Sequence, residues 1–82
     1  MKLPRDVSGR ELARRLRRFG YEIRRQTGSH MRLTSSIKGP DHHVTIPDHD
    51  DLRVGTLRGI VRAVAEYVSI DADEMVDRLF RD

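Results

Sequence analysis

Apolar positions in this chain switch period as they advance, and the switches predict the elements. Leu12, Leu16 and Phe19 lie at helical spacing, as the buried stripe of an amphipathic helix does. Ser8-Gly9-Arg10-Glu11 fits a capping box, with the Ser8 hydroxyl on the Glu11 amide, the Glu11 carboxylate reaching back, and Val7 and Leu12 as the hydrophobic staple. A helix therefore starts near Gly9, and Gly20 ends it by taking the left-handed conformation. From Tyr21 to Gln26 and from Met31 to Ser35 the period shortens to two, with Thr27-Gly28-Ser29-His30 between, which reads as a β-hairpin. A loop of Thr27, Gly28 and Ser29 pairs Gln26 with His30, Arg24 with Arg32, Ile23 with Leu33 and Glu22 with Thr34, so that apolar meets apolar. A two-residue loop would turn one strand's apolar set outward. The odd register is therefore expected, and it sends Arg24, His30 and Arg32 to the polar face.

A third alternating run follows the Gly39-Pro40 loop. It spans His42 to Pro47, with Val44 and Ile46 inward and His43 and Thr45 outward, and Pro47 closes it because proline has no amide to donate. After a polar loop, Leu57, Ile60, Val61, Val64 and Val68 trace the longest helical stripe, starting at about Val54. Asp71-Ala72-Asp73-Glu74 then caps a short final helix, about 71–80, whose apolar side is Met75, Val76, Leu79 and Phe80 and whose acidic first turn suits the helix dipole. The expected fold is α+β: a three-stranded antiparallel sheet with helices on one face, in the order α-β-β-β-α plus an extra short C-terminal helix. That order resembles the double-stranded-RNA-binding domain. The helix-free face is expected to carry Arg24, Gln26, His30, Arg32, Thr34, His43 and Thr45.

Composition narrows the function classes. The 82 residues suit a single domain spanning 1–82, too small for a second active domain. Charged residues reach 35%, but the regular apolar spacing argues against disorder. No cysteine is present, which excludes disulfides, thiolate chemistry and cysteine-zinc motifs. The longest apolar run is Ala63-Val64-Ala65, and no apolar stretch follows Met1 and Lys2, so a cytoplasmic protein without membrane contact is expected. The net charge of +3 conceals an asymmetry: residues 1–40 hold eleven Lys/Arg against three Asp/Glu, and residues 41–82 hold five against ten. The first half attracts polyanions. Fourteen of the sixteen basic residues are arginine, suited to bidentate phosphate contacts but equally the product of a GC-rich genome.

Arg10, Arg14, Arg17 and Arg18 fall within about 100° on the side of the first helix opposite its apolar stripe. They form either a phosphate-contacting ridge or a solvated helix back. His30 sits at the hairpin mouth among arginines, though a lone surface histidine usually has no chemical role. His42 and His43 point to opposite strand faces, so they do not share a metal with Asp48, Asp50 and Asp51, and no metal or cofactor is expected. His49 reads as a loop-bonding residue, and Ser29 as a turn residue without a base beside it. Exposed aromatic rings for base stacking are missing from the hairpin, so any nucleic-acid recognition should rest on backbone contacts.

The chain resembles the HicA toxins, also called YcfA-like proteins, of bacterial and archaeal toxin-antitoxin pairs. The matching pieces are Ser8-Gly9-Arg10-Glu11-Leu12, Gly20-Tyr21, Arg25-Gln26-Thr27-Gly28-Ser29-His30, Val44-Thr45-Ile46-Pro47-Asp48-His49 and Gly55-Thr56-Leu57, covering about residues 3–68. The resemblance implies a double-stranded-RNA-binding-like fold and a metal-independent mRNA interferase, an endoribonuclease neutralised by a HicB-like antitoxin. It also implies His30 as the catalytic residue. Imidazole can take or give a proton near neutral pH. Arg24, Arg32 and the Arg10, Arg14, Arg17, Arg18 ridge are the expected RNA contacts, with Ser29, His43 and His49 as auxiliary candidates. A protein that is monomeric when free, meets mRNA, and is covered by an antitoxin with an acidic contact face fits this reading. The alternatives are a non-catalytic RNA-binding module and a protein-interaction subunit whose basic face docks an acidic partner.

Overall fold

The computed structural model describes residues 1–81; Asp82, the end of the expected domain, lies outside them. Helix α1 (Gly9–Leu16) runs into a 3₁₀ turn at Arg17–Phe19; β1 (Glu22–Thr27), β2 (His30–Ser35) and β3 (His42–Pro47) follow, then α2 (Val54–Val68) and α3 (Ala72–Phe80). The strands form one antiparallel meander in the order β1-β2-β3. This is the expected α-β-β-β-α architecture with a further helix. Among the described residues no helix is long and apolar enough to cross a membrane.

The core lies between sheet and helices. Leu12 and Leu16 of α1, Met31 and Leu33 of β2, Ile46 of β3, and Leu57, Val61 and Val64 of α2 are all buried there. Met75 and Leu79 of α3 are fully buried in the same cluster, so α3 is part of the core and not an appendage. Each such side chain contributes roughly 1.5–3 kcal/mol by leaving water. Two arginines of the α1 segment secure the end of α3. Arg15 Nη1 donates to the Leu79 carbonyl at 3.0 Å while its guanidinium lies 5.4 Å from the Phe80 ring, and Arg18 donates to the carbonyls of Arg78 at 2.6 Å and Arg81 at 3.0 Å. Terminal carbonyls without a partner in their own helix are thus satisfied by cations, which the helix dipole also favours.

Three sequence expectations are corrected. Ser8 does accept the Glu11 amide at 3.0 Å, but the Glu11 carboxylate does not complete the box; it takes Arg15 Nε at 3.0 Å. The first helix tightens into its 3₁₀ turn before reaching Gly20, whose φ is +83°. The largest correction concerns the hairpin. Thr27 pairs with His30, so the turn holds only Gly28 and Ser29, with Gly28 at φ +57° in the first central position as a type II′ turn requires. Arg25 and Gln26 then face Arg32 and Met31, while Ile23 and Glu22 keep the expected partners Leu33 and Thr34. Arg24 is the extra residue of a β-bulge that reconciles the two registers. The tight turn sets the register at the tip, and apolar pairing sets it at the base. Gln26 consequently turns to the helix side, and Arg25 and Thr27 join the outer face.

The inward His42 has a structural task. Its Nδ1 shares a 2.6 Å hydrogen bond with the buried Tyr21 hydroxyl, and its ring stacks on Tyr67 at 4.7 Å. Burial, with a smaller contribution from Tyr67, pushes the Tyr21 phenol well above its ordinary value of 10.0, so it stays protonated. The fold favours the neutral phenol; its contribution is therefore complete below pH 10.0 and is lost as pH rises through the raised value. Denaturation curves across the alkaline range should show stability falling above pH 10.0, and Tyr21→Phe should flatten that fall. An unchanged slope in the variant would assign the loss to other groups.

Candidate nucleic-acid interface

The outer sheet face is built in cross-strand rows. Thr27, His30 and Pro47 form the row beside the turn; Arg25, Arg32 and Thr45 form the next; Glu22, Thr34 and His43 form the third. His30, Arg25, Arg32 and Thr45 are exposed, because the buried positions of β2 and β3 alternate with them on the helix side. Arg24 is exposed too and lies 4.0 Å from the Glu22 carboxylate. Among the described residues nothing hydrogen-bonds the His30 imidazole, which stands open to solvent. Arg32 lies two residues away on the same face, about 7 Å along the strand. One phosphate group is within reach of both side chains.

The auxiliary candidates separate. His43 pairs with Thr34, four residues from His30 along β2, which puts the two backbones about 13 Å apart. Its Nδ1 is held by Thr34 Oγ1 at 2.8 Å. The structure therefore does not bring His43 to His30. His49 is exposed and lies two residues beyond the hairpin end of β3, where its carbonyl accepts the Gly9 amide at 2.9 Å; the expected loop bond is made by its backbone. The Ser29 carbonyl accepts the Asp48 amide at 2.6 Å, tying the turn to the β3 exit. No three His, Asp or Glu side chains among the described residues converge as a metal site would need.

The arginines of the α1 segment also divide. Arg14 and Arg17 are exposed and line a groove with Arg10, Ala13 and Ile23. Arg10 is engaged within the molecule, donating to Asp48 Oδ2 at 3.0 Å and to Gln26 Oε1 at 3.2 Å. Arg18 is engaged on the α3 carbonyls described above. Of the four-arginine ridge, Arg14 and Arg17 remain directed to solvent. Sequence reasoning overlooked Arg25 as a member of the face and Asp48 as a tie to the turn. The Gly28-Ser29 pair, a known two-residue turn signal, was the clue to the first.

Fold and site together define a small α+β domain with the element order of a double-stranded-RNA-binding domain and a basic, imidazole-bearing outer sheet. The HicA toxin family of bacterial toxin-antitoxin systems matches residues 9–65, a segment that holds α1, the whole sheet and most of α2. The chain belongs to that family. Membership gives it the toxin's role in a toxin-antitoxin pair and implies an antitoxin partner. No curated protein and no solved structure shows significant similarity to it.

Proposed function

We propose that this toxin is an endoribonuclease that cuts mRNA on the outer sheet face, with His30 as general acid or base. The observation that carries the reading is the placement of His30: exposed, beside a tight turn, in the row next to Arg25 and Arg32. RNA supplies its own nucleophile in the 2′-hydroxyl. Cleavage then needs a group to take that proton, a group to protonate the leaving 5′-oxygen, and cations to stabilise the charge building on phosphorus. An imidazole serves either proton transfer near neutral pH. Arg32 and Arg25 supply fixed positive charge where it develops, and Arg24, Arg14 and Arg17 extend the basic surface for neighbouring phosphates. His49, on the loop beside the turn, is the auxiliary imidazole that this geometry favours over His43. In this reading a HicB-like antitoxin with an acidic contact face covers His30 and competes with RNA.

Purified toxin should cut a labelled mRNA fragment equally well with and without excess EDTA, because histidine carries the proton transfers. A single 2′-deoxy substitution at the cut position should leave that bond intact. Loss of activity in EDTA that Mg²⁺ or Zn²⁺ restores would overturn the metal-independent mechanism. A gel shift without any cleavage would make the protein an RNA-binding module instead.

A further inference from the structure

Asp48 gathers three parts of the chain on one carboxylate oxygen. Its Oδ2 accepts from Arg10 Nη2 at 3.0 Å, from Arg10 Nε at 3.3 Å and from Gln26 Nε2 at 3.3 Å. Arg10 Nη2 also donates to Gln26 Oε1 at 3.2 Å, closing a three-residue ring of polar contacts. Arg10 belongs to the first turn of α1, Gln26 to the hairpin end of β1, and Asp48 to the exit of β3. The Asp48 amide meanwhile holds the Ser29 carbonyl at 2.6 Å, one residue before His30. Gln26 reaches this ring only because the two-residue turn and the bulge place it on the helix side of the sheet.

We infer that Asp48 and Arg10 form a lock that positions the hairpin turn, and through it His30, for catalysis. The hairpin tip is paired through its backbone to β1 and β3 but has little side-chain packing to hold it, since Thr27, Gly28, Ser29 and His30 are all exposed. The lock supplies the missing constraint on the helix side while leaving the outer face open. The Asp48 side chain is 26% and the Arg10 side chain 59% exposed, so the hold comes from the converging hydrogen bonds rather than from the ion pair alone. Arg10 is then a positioning residue and not an RNA ligand: its guanidinium is committed to Asp48 and Gln26. The inference rests on the endoribonuclease reading for its effect on rate, but the lock itself is a claim about the hairpin.

Two roles for Arg10 predict opposite kinetics. A phosphate ligand, once removed, raises the RNA concentration for half-maximal rate and lowers the log-log salt slope by roughly one unit. A positioning residue lowers the maximal rate and leaves both unchanged. In single-turnover cleavage of a labelled RNA, Asp48→Ala and Arg10→Ala should each lower the maximal rate by about 10- to 100-fold, the scale of losses from a misplaced catalytic group. The double variant should be no slower than Asp48→Ala alone, because the two residues act as one unit. Additive losses, or weaker RNA binding at an unchanged maximal rate, would overturn the lock. Amide hydrogen exchange separates this claim from the activity reading. In Asp48→Ala the His30 amide should exchange at least about tenfold faster while amides of Leu33 and Val61 keep their protection, as expected for local opening. Unchanged exchange at His30 would overturn the lock whether or not the protein cuts RNA. Wild-type protein that cuts no RNA, with the exchange difference present, would overturn the endoribonuclease reading and keep the lock.

Discussion

His30→Ala is expected to lower RNA cleavage by about 10²–10⁴-fold, the usual contribution of a general acid or base. Growth arrest after induced expression should disappear with it. The variant should fold normally, since substitution of an exposed residue away from special features stays within about 0.5 kcal/mol, or about 4 °C in melting temperature for a domain of this size. RNA affinity should persist, because Arg25 and Arg32 in the next row remain. His43→Ala is the matched control. It removes an imidazole from the same face but from a row about 13 Å distant, and should leave cleavage near the wild-type rate. Purified His30→Ala that still cuts at the wild-type rate would remove the catalytic assignment. Equal losses in both variants would point to a shared role in binding RNA.

Gly9→Ala is expected to destabilise the protein by about 3 kcal/mol, a severe case of overpacking. Helix propensity by itself predicts the opposite sign, since alanine is favoured over glycine in a helix by roughly 0.5–1 kcal/mol. The reason for the reversal is a tertiary contact. A Cβ at position 9 would overlap the Pro47 carbonyl oxygen and lie 3.3 Å from Asp48 Cα. The Gly9 amide also donates to the His49 carbonyl at 2.9 Å, so the helix cannot back away without losing that bond. Thermal melts should show a fall of 10 °C or more, on the basis of about 4–8 °C per kcal/mol at this size. A melting temperature at or above that of the wild type would mean that α1 is free to shift on the β3 exit. Because that exit also carries Asp48, the same substitution should weaken the hold on the hairpin turn.

Local rules were enough for much of the fold. The helical stripe from Leu57 to Val68, the alternation in β2 and β3 and the Ser8 and Asp71 caps all depend on contacts within a few residues or on a single buried face, and each stands where periodicity placed it. His30 was legible for the same reason. Its position next to a glycine turn and its parity opposite Met31 decide which face it occupies.

Other features required the third dimension. The hairpin register was a contest between two local preferences, a two-residue Gly28-Ser29 turn and the pairing of Ile23 with Leu33, and periodicity cannot show that a bulge at Arg24 satisfies both. Arg25 and Gln26 exchanged faces as a result. The fate of the arginines was equally hidden. Spacing placed Arg10, Arg14, Arg17 and Arg18 on one side of a helix, but which of them remain available depends on partners distant in sequence: Asp48 for Arg10, and the carbonyls of Arg78 and Arg81 for Arg18. Sequence by itself determined the elements, their order and the histidine on the basic face, because those follow from local periodicity and caps. Tertiary structure alone decided which charges are free, why Gly9 must lack a side chain and how the turn bearing His30 is held, because each is a contact between segments that only folding brings together.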